Sequence, residues 1–262
     1  MELNKVNQEN AVQKQYKTSD NLTRRISIHE KYSTNKQGFG NWVHSHYDFG
    51  EGSRILELGC GTGVMWKGKL PGQGENLTLV LSDFSENMVA DAKALLGERD
   101  NVSYRVVNIE DISYPDESFD RIIANMMLYH VPDLDRGLSE VRRVMAQDGY
   151  FYCATYGENG ILPFIAGLLK EYGVADTTNK NFTLQNGGGI LGRHFSEVKK
   201  FLYEDSLAVT DVEDLLDYVY SLTNMSSVAQ VDRSVLKEVL EREMTDGVLK
   251  VPKEYGMFIC RK

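Results

Sequence analysis

Residues 55–63 read Ile-Leu-Glu-Leu-Gly-Cys-Gly-Thr-Gly. An apolar run carries an acid, Glu57, and then breaks into three glycines at alternate positions, Gly59, Gly61 and Gly63. Glycine there lets the backbone turn tightly and lets a ligand approach with no Cβ in the way. A helix is expected to start behind the loop, offering free N–H groups to a polar ligand. Asp83 follows 20 residues after Gly63, at the end of a second apolar run, Leu77 to Ser82. A carboxylate at that spacing is placed to accept the hydroxyls of a ribose. Asp83 could instead cap the next helix, but Ser85 can do so and leave the acid for a ligand. Loop and acid together describe the first two strands of an open α/β sheet that binds a nucleoside-bearing molecule.

Three glycine patterns compete for the loop. A dinucleotide fingerprint needs G-x-G-x-x-G, and the third position is Val64 counted from Gly59 and Trp66 counted from Gly61. A phosphate loop needs G-x-x-x-x-G-K-[ST]; Gly63, Gly68 and Lys69 fit, but Leu70 stands where the metal-binding hydroxyl belongs. An acid followed by G-x-G-x-G is the pattern that fits throughout.

Outward from the loop, short apolar runs alternate with helical patterns. Strands are expected at Arg54 to Leu58, Leu77 to Ser82, Val102 to Val107, Phe119 to Asn125 and Tyr150 to Thr155. Helices are expected at Ser85 to Leu96, with Met88, Ala92, Leu95 and Leu96 on one face, and at Asp133 to Met145, with Leu134, Leu138, Val141 and Met145 on one face. This rhythm implies a mostly parallel sheet with helices on both faces. Further on, Ile161 to Tyr172 reads as a helix, Gly187 to Gly189 as a turn, and Glu197 to Tyr203 and Lys253 to Cys260 as strands. Between the last two, Thr210 and Glu213 have the spacing of a capping box. Behind it Val212, Leu215, Leu216, Val219 and Leu222 form an apolar stripe, and a second helix is expected over Asp232 to Met244.

The loop pattern resembles motif I of the class I S-adenosylmethionine-dependent methyltransferases, in which E/D-x-G-x-G-x-G ends the first strand. Three later segments are also similar to that family, in the expected order: Leu81 to Val89, Val106 to Asp133 and Arg142 to Gly157. The resemblance implies a Rossmann-like sheet, mostly parallel with an antiparallel last strand, and S-adenosyl-L-methionine as cofactor, with S-adenosyl-L-homocysteine as product. It implies that Gly59, Cys60, Gly61 and Gly63 line the methionine moiety, with Glu57 organising the loop. Asp83 would hold the ribose with Phe84 beside the adenine, while Asn108, Ile109 and Glu110 edge the ring and Asn125 faces the methionine. Many relatives carry Asp at the position of Asn108, so the bond to the adenine amino group would here be neutral and weaker.

The resemblance divides the chain into an N-terminal helical segment over the cofactor side (1–50), a methyltransferase domain (51–203 with 250–262) and a helical cap inserted between the last two strands (204–249). Tyr129 and His130, just past the fourth strand, would meet the acceptor and serve as candidate catalytic residues; His130 could equally close a turn before Pro132. His29 and Tyr32, at i and i+3, could share a helix face toward the substrate or pack in the core. His44 and His46 point different ways on a helix, which makes a poor metal pair and suggests the surface; no metal is expected. Cys60 reads as a small packing residue.

Hydrophobic residues make up 42% and charged residues 26%, enough apolar material for a sizeable core. Net charge is −9, and residues 204–246 hold eleven acids against three bases. That field opposes nucleic acid and polyphosphate and tolerates a small neutral or cationic acceptor. The longest apolar run, Ile161 to Leu169, is too short to span a membrane, and the first ten residues lack a signal-peptide core. Three widely spaced cysteines disfavour a disulfide framework and fit a reduced, cytoplasmic protein. Methyl transfer to a small molecule is the reading these features favour. A nicotinamide-dependent oxidoreductase and a non-catalytic adenosylmethionine-binding module are the alternatives.

Overall fold

The structure, a computed structural model, describes residues 27–72, 76–221 and 227–262. Its centre is one seven-stranded sheet: β1 (Arg54–Leu58), β2 (Thr78–Asp83), β3 (Val102–Val106), β4 (Phe119–Ile123), β5 (Met145–Tyr156), β6 (Glu197–Val209) and β7 (Leu249–Arg261), in the order β3-β2-β1-β4-β5-β7-β6. The first five strands pair in parallel. β7 runs antiparallel to both β5 and β6, so β6 points the same way as the first five. The strand order reverses between β1 and β4, and their carboxyl ends open the crevice where such sheets bind ligands.

Seven helices accompany the sheet among the described residues, besides a helical stretch over 27–32. They are α1 (Phe39–His44), α2 (Glu86–Leu96), α3 (Leu134–Val144), α4 (Ile161–Leu168), α5 (Gly187–Leu191), α6 (Val212–Tyr220) and α7 (Arg233–Arg242). Ser85 caps α2, accepting from the Met88 N–H at 3.5 Å, and Asp133 caps α3, accepting from Arg136 N at 3.0 Å. Both satisfy backbone donors left over at the helix starts. Alternation along the strands feeds two cores. Leu56, Leu58, Ile122, Phe151, Cys153 and Phe258 point to the side of α3 and α5. Ile55, Leu81, Ile123, Tyr152 and Met257 point to the other side, toward α1 and α2.

A third core lies beyond the sheet's carboxyl edge. There β6 and β7 outrun β5 and continue as a two-stranded ribbon, against which α4, α6, α7 and the 27–32 stretch pack. Leu207, Val209, Leu249 and Val251 of the ribbon are fully buried in it. Both strands are therefore longer than their sequence pattern suggests, because Glu204, Asp205, Lys250 and Lys253 interrupt the apolar alternation.

Several local expectations are corrected. No α-helix follows the glycine loop: one 3-10 turn, Val64–Trp66, leads to Gly68 at φ +73°, so no regular helix start faces the ligand side. β4 ends at Ile123, although Ala124 N and Met126 N still donate to Tyr152 O and Ala154 O of β5 at 2.9 and 2.8 Å, and Met126 takes φ +54°. Gly187 to Gly189 belong to α5, since a Cβ at Gly187 would come within 2.8 Å of the Phe258 ring; the missing side chains let the helix lie on that ring. Asp211, not Thr210, caps α6, accepting from Glu213 N at 3.0 Å. The N-terminal segment is not one continuous helix. Residues 33–37 cross the ribbon, with Ser33 bridged to Leu207 and Thr34 N donating to Ser206 O at 2.9 Å. Its first 26 residues, and Leu222 of the expected stripe, lie outside the described residues.

Candidate functional site

The glycine loop leaves β1 at the crevice. Gly59, Gly61 and Gly63 all take positive φ, between +56° and +74°, a region other residues enter only at a cost. Two of them are also tightly packed. A Cβ at Gly59 would stand 2.8 Å from Met127 Cγ, and one at Gly63 would stand 2.7 Å from Leu96 Cδ1. Gly61 differs, because a Cβ there would meet nothing within 4 Å. The middle of the loop therefore turns its open side to the crevice while its two ends are wedged into the fold.

Asp83, at the tip of β2, ties the loop down. One carboxylate oxygen accepts from Gly61 N at 3.0 Å and the other from Ser85 N at 2.9 Å. The Phe84 backbone N–H also bears on the carboxylate, which is left with acceptor capacity for a further donor. Burial raises the carboxyl's pKa, which those backbone bonds partly offset. Phe84 beside it is half-buried.

Glu57 lies beneath the loop, 2% exposed. Burial pushes its pKa up to about 7, against the lowering effect of bonds from the Trp66 indole and the Asn125 amide. Trp66 Nε1 donates to one oxygen, and Asn125 Nδ2 lies 3.5 Å from the other. The same Asn125 amide nitrogen donates to Tyr47 Oη at 2.6 Å. Asn125 Oδ1 is buried without a hydrogen-bond partner. Aromatic rings enclose this group: Tyr47 stacks on Phe49 at 5.0 Å, Phe49 on Trp66 at 6.1 Å, and Tyr152 meets the Tyr47 edge at 5.2 Å.

The remaining candidates divide. Asn108 Oδ1 accepts from Glu110 N at 2.9 Å, closing its own turn. Ile109 is buried and packs against Gly137 of α3, while Glu110 accepts from Asp133 N at 2.8 Å at the start of α3. Cys60 is buried, and burial raises its thiol well above the ordinary range. Tyr129 and His130 form a 3-10 turn, Leu128–His130, just past Met127, which abuts Gly59. Their rings lie 4.5 Å apart, and Tyr129 also contacts the Tyr156 ring at 4.6 Å. Tyr32 is buried in the third core, its hydroxyl on Asp214. His29 sits between the edges of Tyr218 and Tyr255, 6.0 Å from each. His44 and His46 are half-buried rather than on the surface, His44 against Trp66 and His46 with Nδ1 on Trp42 O at 2.8 Å. Tyr47 and Trp66, which sequence reasoning did not single out, complete the Glu57 cluster; the one signal was the run of aromatics before the loop.

Residues 56–153, from β1 into β5, match a family model described as a methyltransferase domain. The ubiquinone/menaquinone biosynthesis C-methyltransferase UbiE of Rickettsia prowazekii is 32% identical over 126 residues, 46% of this chain and 49% of that one. Its counterpart from Rickettsia akari is 32% identical over 112 residues, 40% of this chain and 45% of that one. The chain thus spans about half the length of the curated relatives it matches. Among solved structures, a Bacillus halodurans C-125 protein superposes with a TM-score of 0.58 at 16% identity, covering 86% of this chain and 98% of that one. Phosphoethanolamine N-methyltransferase 2 of Haemonchus contortus, solved with S-adenosyl-L-methionine, gives 0.57 at 14% identity, covering 98% of this chain and 59% of that one. At such identities these likenesses speak for the fold. Among the described residues no helix is long and apolar enough to cross a membrane.

Proposed function

We propose that this chain, whose residues 56–153 form a class I S-adenosylmethionine-dependent methyltransferase domain, transfers the methyl group of that cofactor to a small-molecule acceptor. The observation that carries the proposal is the Glu57–Asn125 cluster under a loop whose middle glycine is open. Asn125 Oδ1 is a buried acceptor without a partner, which suits the amino group of a bound amino acid. The remaining acceptor capacity of the Asp83 carboxylate suits a ribose hydroxyl, and Phe84 lies beside it for a purine ring. The residues present therefore fit the cofactor.

S-adenosylmethionine supplies an activated methyl group on a sulfonium, so the protein's task is to position two reactants and exclude water. Gly59, Cys60, Gly61 and Gly63 shape the floor for the methionine part. Asn108 and Ile109 edge the adenine; Asn108 can use its second lone pair, whereas the Glu110 side chain is occupied at α3 and contributes through its backbone. Tyr129 and His130 stand at the acceptor side, placed to orient the nucleophile and take its proton where one must leave. Within the described residues, α6 and α7 of the 204–249 segment cap that side in this reading and residues 39–49 of the N-terminal segment cover the cofactor side, with 51–203 and 250–262 as the domain between them; residues 204–209 and 249 belong to the ribbon rather than to a helical cap.

The acceptor is a small molecule in this proposal. The C-methyltransferase relatives act in quinone biosynthesis, and the strongly acidic cap opposes phosphate-rich polymers. The test supplies S-adenosylmethionine with fractionated cell extract and measures S-adenosylhomocysteine release. Turnover is expected with the metabolite fraction and not with RNA or protein. Turnover confined to the RNA fraction contradicts the proposal.

A further inference from the structure

Hydrogen bonds from Ala124 N and Met126 N to β5 fix the backbone on either side of Asn125, but they leave open which way its side-chain amide faces. An amide has two unlike ends, a carbonyl acceptor and an NH2 group with two protons to give. Each proton has an acceptor here: Tyr47 Oη lies 2.6 Å from Asn125 Nδ2, and Glu57 Oε1 lies 3.5 Å from it. Asn125 is 8% exposed, and its Oδ1 is left buried with no partner. Turning the amide over would let Tyr47 donate to Oδ1. It would also set that oxygen against the Glu57 carboxylate and bury two N–H donors without acceptors. Two unmade donors cost more than one unmade acceptor, so the observed orientation is the favoured one.

The two acceptors come from different parts of the chain. Glu57 belongs to β1, and its other oxygen is taken by the Trp66 indole. Tyr47 comes from the segment after α1, outside residues 56–153. That segment is pinned to the sheet: Asp48 N donates to Tyr152 Oη at 3.1 Å, and Arg121 Nε donates to Asp48 O. The Tyr47 ring is held by Phe49 at 5.0 Å and by edge contacts with Tyr152 at 5.2 Å and His44 at 5.5 Å. Burial and the nearby Glu57 raise the Tyr47 phenol well above its ordinary range, so the oxygen stays a neutral hydroxyl.

We propose that Tyr47 is a positioning residue for the cofactor: by taking one Asn125 amide proton while Glu57 takes the other, it keeps Oδ1 turned to the amino group of the methionine moiety. The inference deepens the methyl-transfer reading and rests on it. Tyr47 acts through Asn125, so it bears on the amino-acid end of the ligand and leaves the nucleoside end, assigned to Asp83, alone.

The test compares S-adenosylhomocysteine with methylthioadenosine, which keeps the nucleoside and the thioether and lacks the amino acid. Both are titrated calorimetrically at about pH 8, where a Glu57 carboxyl of pKa about 7 is mostly ionised and can only accept. Tyr47→Phe keeps the ring and its stacking and removes the acceptor. It should weaken S-adenosylhomocysteine about fivefold and leave methylthioadenosine within about twofold, which also shows that the variant is folded. In an Asn125→Ala background the same change should have no further effect, because no amide is left to orient. Equal weakening of both ligands, an unchanged S-adenosylhomocysteine affinity, or the full loss repeated without Asn125 overturns the assignment of Tyr47. Binding of neither ligand to the unaltered protein would overturn the methyl-transfer reading beneath it.

Discussion

Replacing Glu57 with Gln should change how stability depends on pH. A carboxyl whose folded pKa is about 7, against an ordinary value of 4.5, binds its proton more tightly in the folded state. Its contribution is best below pH 4.5 and is progressively lost as pH rises to 7. At 1.36 kcal/mol for each pKa unit, the loss is about 3 kcal/mol. His29 works in the opposite sense. Its folded pKa is about 4 against 6.5, so its contribution is present above 6.5 and is lost as pH falls toward 4. From 4.5 to 6.5 the two slopes oppose each other, and the wild-type profile should be nearly flat there as far as these groups go. Glu57→Gln removes one of them and should leave stability rising with pH across the same window. Gln can still accept from Trp66, and a flipped Asn125 can offer its unpartnered oxygen to the new amide. The assay is urea denaturation of both proteins at intervals from pH 4 to 8. The wild-type-minus-variant difference should shift by about 3 kcal/mol between pH 4.5 and 7. A difference that stays constant with pH would refute the buried-acid assignment.

Other perturbations have equally definite outcomes. Gly63→Ala puts a Cβ at φ +74° and 2.7 Å from Leu96, so chemical denaturation should show a loss of about 2–5 kcal/mol; Gly61→Ala, with open space around it, should lose only about 1–2 kcal/mol while weakening cofactor binding. Lys253→Met leaves the Asp205 carboxylate buried without its cation and should cost about 3–5 kcal/mol by denaturant titration, most of it recovered in the double variant with Asp205→Leu. Asn125→Asp sets a second carboxyl against Glu57, so the pair should titrate above the ordinary range by NMR; Asn125→Ala should weaken S-adenosylhomocysteine binding about tenfold. His130→Ala should slow turnover more than it weakens S-adenosylhomocysteine binding, and unchanged turnover would remove His130 from the reaction.

The parts of the site legible in sequence are those built from near neighbours. Glu57, the three glycines and Asp83 lie at strand ends, where a strand-then-loop pattern fixes their place, and the Ser85 and Asp133 caps follow from side-chain chemistry at a helix start. What could not be read there depends on contacts between distant segments. Tyr47 reaches Asn125 only after the 39–49 segment folds over the sheet, whereas Trp66, nine residues past Glu57, reaches it because the glycine loop doubles back. The helix at Gly187 exists because Phe258, far along the chain, offers a flat ring. The length of the ribbon is hidden in the sequence for the same reason: Asp205 and Lys253 have the look of strand-ending charges, yet they neutralise each other across it. The expected helix after the loop fails locally, where Gly68 and Pro71 break the pattern within one turn.

Calorimetric titration of S-adenosylhomocysteine tests the central claim most directly, with Asp83→Ala and NAD as controls. Saturable binding is expected, weakened at least about tenfold in Asp83→Ala as a charge-assisted bond is lost, with no heat from NAD. Absence of binding, or preference for NAD, would contradict a methyltransferase site at the Gly59–Gly63 loop.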